Sequence, residues 1–112
     1  MSINSMITNA VKHIAPIQAG TYTPEDPEET YIVFNYNSQP EDHADDEPQH
    51  EVFYIQVHLF CPFGLNSLVM RRNIKKSLLA AGFTFPAAID ATDADGQHHV
   101  FECQITAVAG GE

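Results

Sequence analysis

The stretch Glu51-Val52-Phe53-Tyr54-Ile55-Gln56-Val57-His58-Leu59-Phe60-Cys61 decides the fold. Alternation with a period of two puts Phe53, Ile55, Val57, Leu59 and Cys61 on one face of a β-strand. That face is wholly apolar and reads as the core side. The opposite face carries Val52, Tyr54, Gln56, His58 and Phe60, more aromatic surface than a solvated face requires, which points to a partner.

Upstream, Tyr31-Ile32-Val33-Phe34-Asn35-Tyr36 is rich in β-branched and aromatic residues and reads as a second strand. Between the two, residues 37–50 hold Asn37, Ser38, Pro40, Glu41, Asp42, Asp45, Asp46, Glu47 and Pro48, with Ala44 the only aliphatic residue. Such a segment cannot offset its ordering entropy by burial, so a mobile acidic loop is expected there. Downstream, Pro62-Phe63-Gly64 turns the chain, and Asn66 is a good N-cap for a helix to about Ala81, with Gly82 at C′. Met70, Ile74, Leu78 and Ala81 form its apolar stripe, and Arg71, Arg72, Lys75 and Lys76 lie away from that stripe. Phe83 to Thr92 reads as a third strand that Pro86 makes bulged or an edge. Asp95-Gly96 is a hairpin signal, and Gln97 to Val108 is a last strand with Phe101, Cys103 and Ile105 on one face. At the start, Ile3, Ile7, Val11 and Ile14 recur at helical spacing, with Ser2 as cap and Pro16 as stop. Residues 15–29 read as an extended connector, and the tail 109–112 should fray.

The expected fold is one α+β domain over residues 1–112. Its elements run α-β-β-α-β-β, as a four-stranded antiparallel-rich sheet with two helices packed on one face. Acidic residues outnumber basic ones by 15 to 5, and the net charge of −10 keeps the chain soluble and opposes non-specific binding to nucleic acid or anionic membrane. No apolar run approaches the roughly 20 residues that span a bilayer, and the N-terminus lacks a continuous apolar signal region, so a cytosolic product is expected.

No cofactor or catalytic residue is expected. His43, Asp45, Asp46 and His50 cluster in sequence and His98-His99 follow the hairpin signal, but their spacing matches no closed metal-site pattern. The acids sit mainly in proline-rich segments where water screens them, and Ser67 and Ser77 occupy no nucleophile elbow. Cys61 and Cys103 read as reduced core thiols. No glycine-rich phosphate loop is present. The informative asymmetry is in charge: four of the five basic residues fall between Arg71 and Lys76. The expected subunit or partner interface is Arg71, Arg72, Lys75 and Lys76 on the helix, Asp42, Asp45, Asp46 and Glu47 on the acidic segment, and Tyr54 and His58 on the mixed strand face.

Tyr31 to Tyr36, Ala44-Asp45-Asp46-Glu47-Pro48, Ile55 to Pro62, a basic helix ending Ala80-Ala81-Gly82-Phe83-Thr84, and Val100-Phe101-Glu102-Cys103 follow in that order. This series resembles the small tail terminator (tail completion) proteins of long-tailed bacteriophages and prophages of Gram-positive bacteria, over nearly the whole chain. The resemblance implies a ring, commonly a hexamer, at the head-proximal end of the tail tube. That ring stops tube polymerisation and meets the head connector. DNA passes through its lumen without specific binding. It implies assembly in the host cytoplasm, residence in the virion tail, and no membrane partner. The rival expectations are a small protein-binding adaptor domain and a metal-dependent enzyme using the His/Asp-rich segment.

Overall fold

The computed structural model describes the backbone of residues 2–44 and 47–108. It is an α+β domain. The elements are α1 (Ile3–Val11), β1 (Ile17–Ala19), β2 (Tyr31–Ala44), β3 (Glu47–Cys61), α2 (Leu68–Ala80), β4 (Ala87–Asp90) and β5 (Gln97–Val108). The strands form one sheet in the order β1-β2-β3-β5-β4, antiparallel throughout except that β1 runs parallel to β2.

The core lies where the alternation of β3 predicts. Phe53, Ile55, Val57, Leu59 and Cys61 are all buried, facing Ile32 and Phe34 of β2 and Phe101 and Cys103 of β5. Both helices close this face, α1 through Ile3, Ile7 and Val11 and α2 through Ile74 and Leu78. Each large side chain fully removed from water here contributes about 1.5–3 kcal/mol. The Ser2 side chain accepts a hydrogen bond from the Ser5 N–H at 3.1 Å, the expected cap of α1. Farther along the sheet, the Tyr36 hydroxyl donates to Asn4 Oδ1 at 2.6 Å and pins that end of α1 to β2. Gly82 has φ +106°, and the N–H groups of Gly82 and Phe83 donate to the carbonyls of Leu79 and Leu78. That double bond satisfies two orphan carbonyls at the end of α2.

Five points correct the sequence reading. A fifth strand, β1, occupies part of the expected connector. Three residues are too few to carry a periodic signal; α1 docking delivers them to β2, where the Ile32 N–H donates to Pro16 O and the Gly20 N–H to Phe34 O.

The expected loop at 37–50 is ladder on both sides: β2 runs to Ala44 and β3 starts at Glu47, paired from Tyr31↔Phe60 out to Ala44↔Glu47. Composition argues only about side-chain burial, whereas this ribbon extends by main-chain pairing. Pro40 is compatible with it. The donations involving Ile32 and Phe34 turn even-numbered N–H groups of β2 away from β3, so the N–H that proline lacks would have faced the edge. β5 accompanies β3 only as far as His50↔Val108, and the molecule is 55 Å long by 24 Å in the other two directions. Asp45, Asp46 and the tail 109–112 lie outside the described residues.

α2 begins at Leu68, with Ser67 at the cap position making no side-chain cap bond, while Asn66 Oδ1 accepts from the Leu68 N–H at 3.2 Å. β4 begins only at Ala87. The Thr84 N–H donates to Gln104 O, whereas Ala87 is opposite Glu102, so Phe85 and Pro86 together face Cys103. Residues 83–86 are therefore not strand, the return bond from Gln104 N–H going to Thr84 Oγ1, and β4 is an edge strand as expected. The β4–β5 turn is centred on Ala94-Asp95, one residue earlier than expected, with Asp93 bridged to Gly96. Gly96 is required for a different reason: at φ +154°, a Cβ there would stand 3.0 Å from the Cys61 carbonyl oxygen.

Candidate interaction surface

The four bases of α2 do not form one patch. Arg71 is half-buried and turned into the domain, where its Nε donates to Ser67 Oγ at 3.0 Å. Ser67, only 1% exposed, donates in turn to Gln97 Oε1 at 2.8 Å. Gln97 Nε2 donates to the carbonyls of Pro62 and Leu65 at 2.8 and 2.7 Å. This knot fastens the first turn of α2 to the loop before it. His99 joins through a ring nitrogen 3.2 Å from Gln97 Oε1, and its Nδ1 is 3.9 Å from Asp90. Hydrogen bonds from Thr92 hold the Asp90 carboxyl below its ordinary range, with His99 and Arg71 adding to them. Lys75 extends over the Phe85 ring, 6.0 Å from its centroid, a cation–π contact at the β4 edge. Arg72 and Lys76 are exposed.

Beside those bases lies apolar surface that sequence reading missed. Phe85 is 60% exposed and Leu79 50%, while Ile89, 48% exposed and opposite Val100, lies on the sheet face away from the helices. Phe85 stands in the irregular stretch before β4, and Pro86 was the available signal for that break. A second apolar knuckle, Phe63, Leu65, Leu68 and Val69, caps the opposite end of α2. All four residues of β4 are exposed, and that strand forms one edge of the sheet.

The face of the sheet away from the helices carries Tyr54 and His58. Tyr54 is partly exposed over a groove of about 890 Å³ lined also by Asn35, Gln56, Phe85, Glu102 and Gln104. Gln56 Nε2 donates to Glu102 at 2.9 Å across this groove. His58 belongs to a separate aromatic cluster. Phe60 stacks on His98 at 4.3 Å and on Tyr31 at 4.9 Å, and Tyr22 from the β1–β2 connection lies against Tyr31. His58 Nδ1 and His98 Nε2 are 2.8 Å apart. His58 Nε2 is buried with no hydrogen-bond partner, so a proton there would be an unsatisfied donor. The Nδ1-protonated tautomer of His58 avoids that orphan donor and places its proton toward His98 Nε2. Burial holds His58 below the ordinary histidine pKa, with His98 adding to the shift, and burial likewise lowers His98. Burial also lowers His99, with the Arg71 charge next in effect. All three are therefore neutral at pH 7.

Asp42 and Glu47 lie on the β2–β3 ribbon. His98 and His99 are consecutive in β5 and point to opposite faces, so they do not converge on one ion. Among the described residues, no three His, Cys, Asp or Glu side chains are grouped to hold a metal. Cys61 and Cys103 are free and buried, and burial pushes the Cys103 thiol up to about 11, far from the thiolate a nucleophile needs. No helix among the described residues is long and apolar enough to cross a membrane.

What the arrangement offers chemically is contact: an open strand edge flanked by bases and exposed apolar side chains, and on the other face an aromatic, amide-lined surface. No protein-family model matches the sequence, and no curated protein matches it.

Proposed function

We propose that this chain is a structural assembly subunit of the phage tail terminator type. Copies form a ring, most simply a hexamer, at the head-proximal end of the tail tube, end tube polymerisation and present a surface to the head connector. The observation that carries this reading is the pair of unlike open edges on one sheet. The β4 edge has exposed Phe85 and Ile89 with α2 bases beside it, and the β2 edge continues as a ribbon whose sequence is acidic. Unlike patches on opposite sides of a subunit join head to tail, and such contacts close into rings when the rotation permits. The order of sequence features shared with tail terminators supports the same reading. The net charge of −10 suits a lumen through which DNA passes without sticking. The apolar knuckle at Phe63, Leu65, Leu68 and Val69 is a surface for the tube or the connector.

Electron microscopy of the purified protein, with and without its tail tube, tests the proposal. Rings alone, or rings capping tube ends, are expected. Strict monomers that leave tube length unchanged would end it. The groove beside Tyr54 favours a second reading, a protein-binding adaptor domain, which predicts a monomer that captures an unrelated protein through this face.

A further inference from the structure

We infer that an acid-lined aromatic pocket at the foot of the sheet receives a basic side chain, Arg72 or Lys76, from α2 of a neighbouring copy. The inference rests on the ring reading and names one of its contacts. The pocket, about 220 Å³, lies where the β1–β2 connection and the β4–β5 turn meet the ends of β2, β3 and β5. Tyr31, Phe60 and His98 form one wall, their rings stacked at 4.9 and 4.3 Å. Glu29, Asp93 and Asp95 bring three carboxyl groups to the same space, and among the described residues no lysine or arginine lines it. Glu29 is the group that asks for a ligand. The Tyr22 hydroxyl engages its carboxyl, yet Oε2 is buried and has no hydrogen-bond partner. A buried carboxylate oxygen without a donor is unfavourable until one arrives. Three carboxylates repel an anion, and an apolar group would leave Oε2 unsatisfied. An ammonium or a guanidinium supplies the missing N–H and is attracted by the aromatic faces beside it.

Charge and placement select the donor. Of the five bases in the chain, Arg71 is held by Ser67 and Lys75 lies over Phe85. Arg72 and Lys76 are exposed one turn apart on α2, whose Ile74 and Leu78 are buried against the sheet. These two bases are therefore turned away from the sheet. Tyr31, Phe60 and His98 oppose one another in register and alternate with the core residues Ile32 and Leu59, so they stand on the sheet face that the helices leave open. A molecule directs its own exposed α2 bases away from its pocket, and a neighbour's must fill it. The contact joins unlike surfaces on opposite faces of the subunit, the heterologous geometry that a ring requires. Lys12, the fifth base, is exposed at the end of α1 and provides a control.

The experiment is sedimentation velocity and equilibrium on the full chain and its variants, each checked for folding by circular dichroism. Arg72→Glu/Lys76→Glu reverses the helix side, Glu29→Gln removes the pocket charge at constant size, and Asp95→Lys reverses an exposed acid at the pocket mouth. The helix variant and both pocket variants should associate about tenfold more weakly than the natural chain or worse, while Lys12→Glu stays within about twofold of it. Each variant keeps one half of the contact intact. A mixture of Arg72→Glu/Lys76→Glu with Glu29→Gln should therefore form pairs more strongly than either alone, the intact pocket of one meeting the intact helix of the other. If the natural chain forms rings and the helix and pocket variants do so equally, the ring reading stands and this contact is wrong. If Lys12→Glu weakens association as far as the helix variant does, net charge is the cause and the inference falls. If Glu29→Gln fails to fold, Asp95→Lys decides by the same mixture, and weakening without recovery overturns the inference. A natural chain that stays monomeric at high concentration and on its tail tube overturns both.

Discussion

Ser67→Ala offers the sharpest test of what holds α2 in register with the sheet. Ser67 is 1% exposed, and its single oxygen both donates to Gln97 and accepts from Arg71. It makes no side-chain cap bond, so the substitution costs no capping energy. A neutral hydrogen bond contributes about 1 kcal/mol, and one from a charged donor about 1.5–3 kcal/mol. Arg71 is only half-buried and recovers water, which reduces its share, and Gln97 Oε1 keeps the His99 ring. The expected loss is about 2 kcal/mol, or a fall in Tm of about 8 °C for a domain of this size. Urea denaturation of Ser67→Ala, Arg71→Met and the double variant measures it. The two sites should couple by about 1 kcal/mol, since both act through one oxygen. A loss under about 0.5 kcal/mol, or full additivity, would refute the account of Ser67 as the hub.

The histidines give stability a pH dependence of definite sign. His58, His98 and His99 all have folded pKa values lowered from 6.5, so near pH 6 the unfolded chain binds more protons than the folded one. Their contribution is complete above 6.5 and is lost as pH falls through the folded values. Between pH 7.5 and 5.5 the natural chain should lose more stability than a His58→Phe/His98→Leu variant, measured by urea denaturation; an equal or smaller loss would count against the half-buried pair. Gly82→Ala forces a side chain into φ +106° at the end of α2 and should cost about 1–2 kcal/mol, read as a lower urea midpoint with unchanged slope. A neutral result would mean that the helix end relaxes out of that conformation.

The α+β class, both helices, the alternating core face of β3, the cap at Ser2 and the stop at Gly82 were legible in the sequence because each is written in local spacing. A period of two or 3.6 needs only consecutive residues to declare itself. Pro86 marked a bulge or an edge, and the edge is what the structure has, with the strand starting only at Ala87. Among the expected interface residues, local reading separated α2 bases from apolar stripe correctly, yet it could not distinguish Arg71, held by Ser67, from Arg72 and Lys76, which are exposed.

Tertiary structure alone decided the rest. β1 is a strand only because α1 packs on the sheet and lays residues 17–19 beside β2. The acidic segment is a ribbon because main-chain pairing continues past the point where side chains stop being buried. His58 and His98 meet across two strands, from positions 40 residues apart, and the burial that lowers both pKa values exists only once those strands pair. Sequence specifies what each residue prefers; long-range pairing specifies which preferences are satisfied together. Hydrogen bonds and charges act over a few ångströms in space, whatever their separation along the chain.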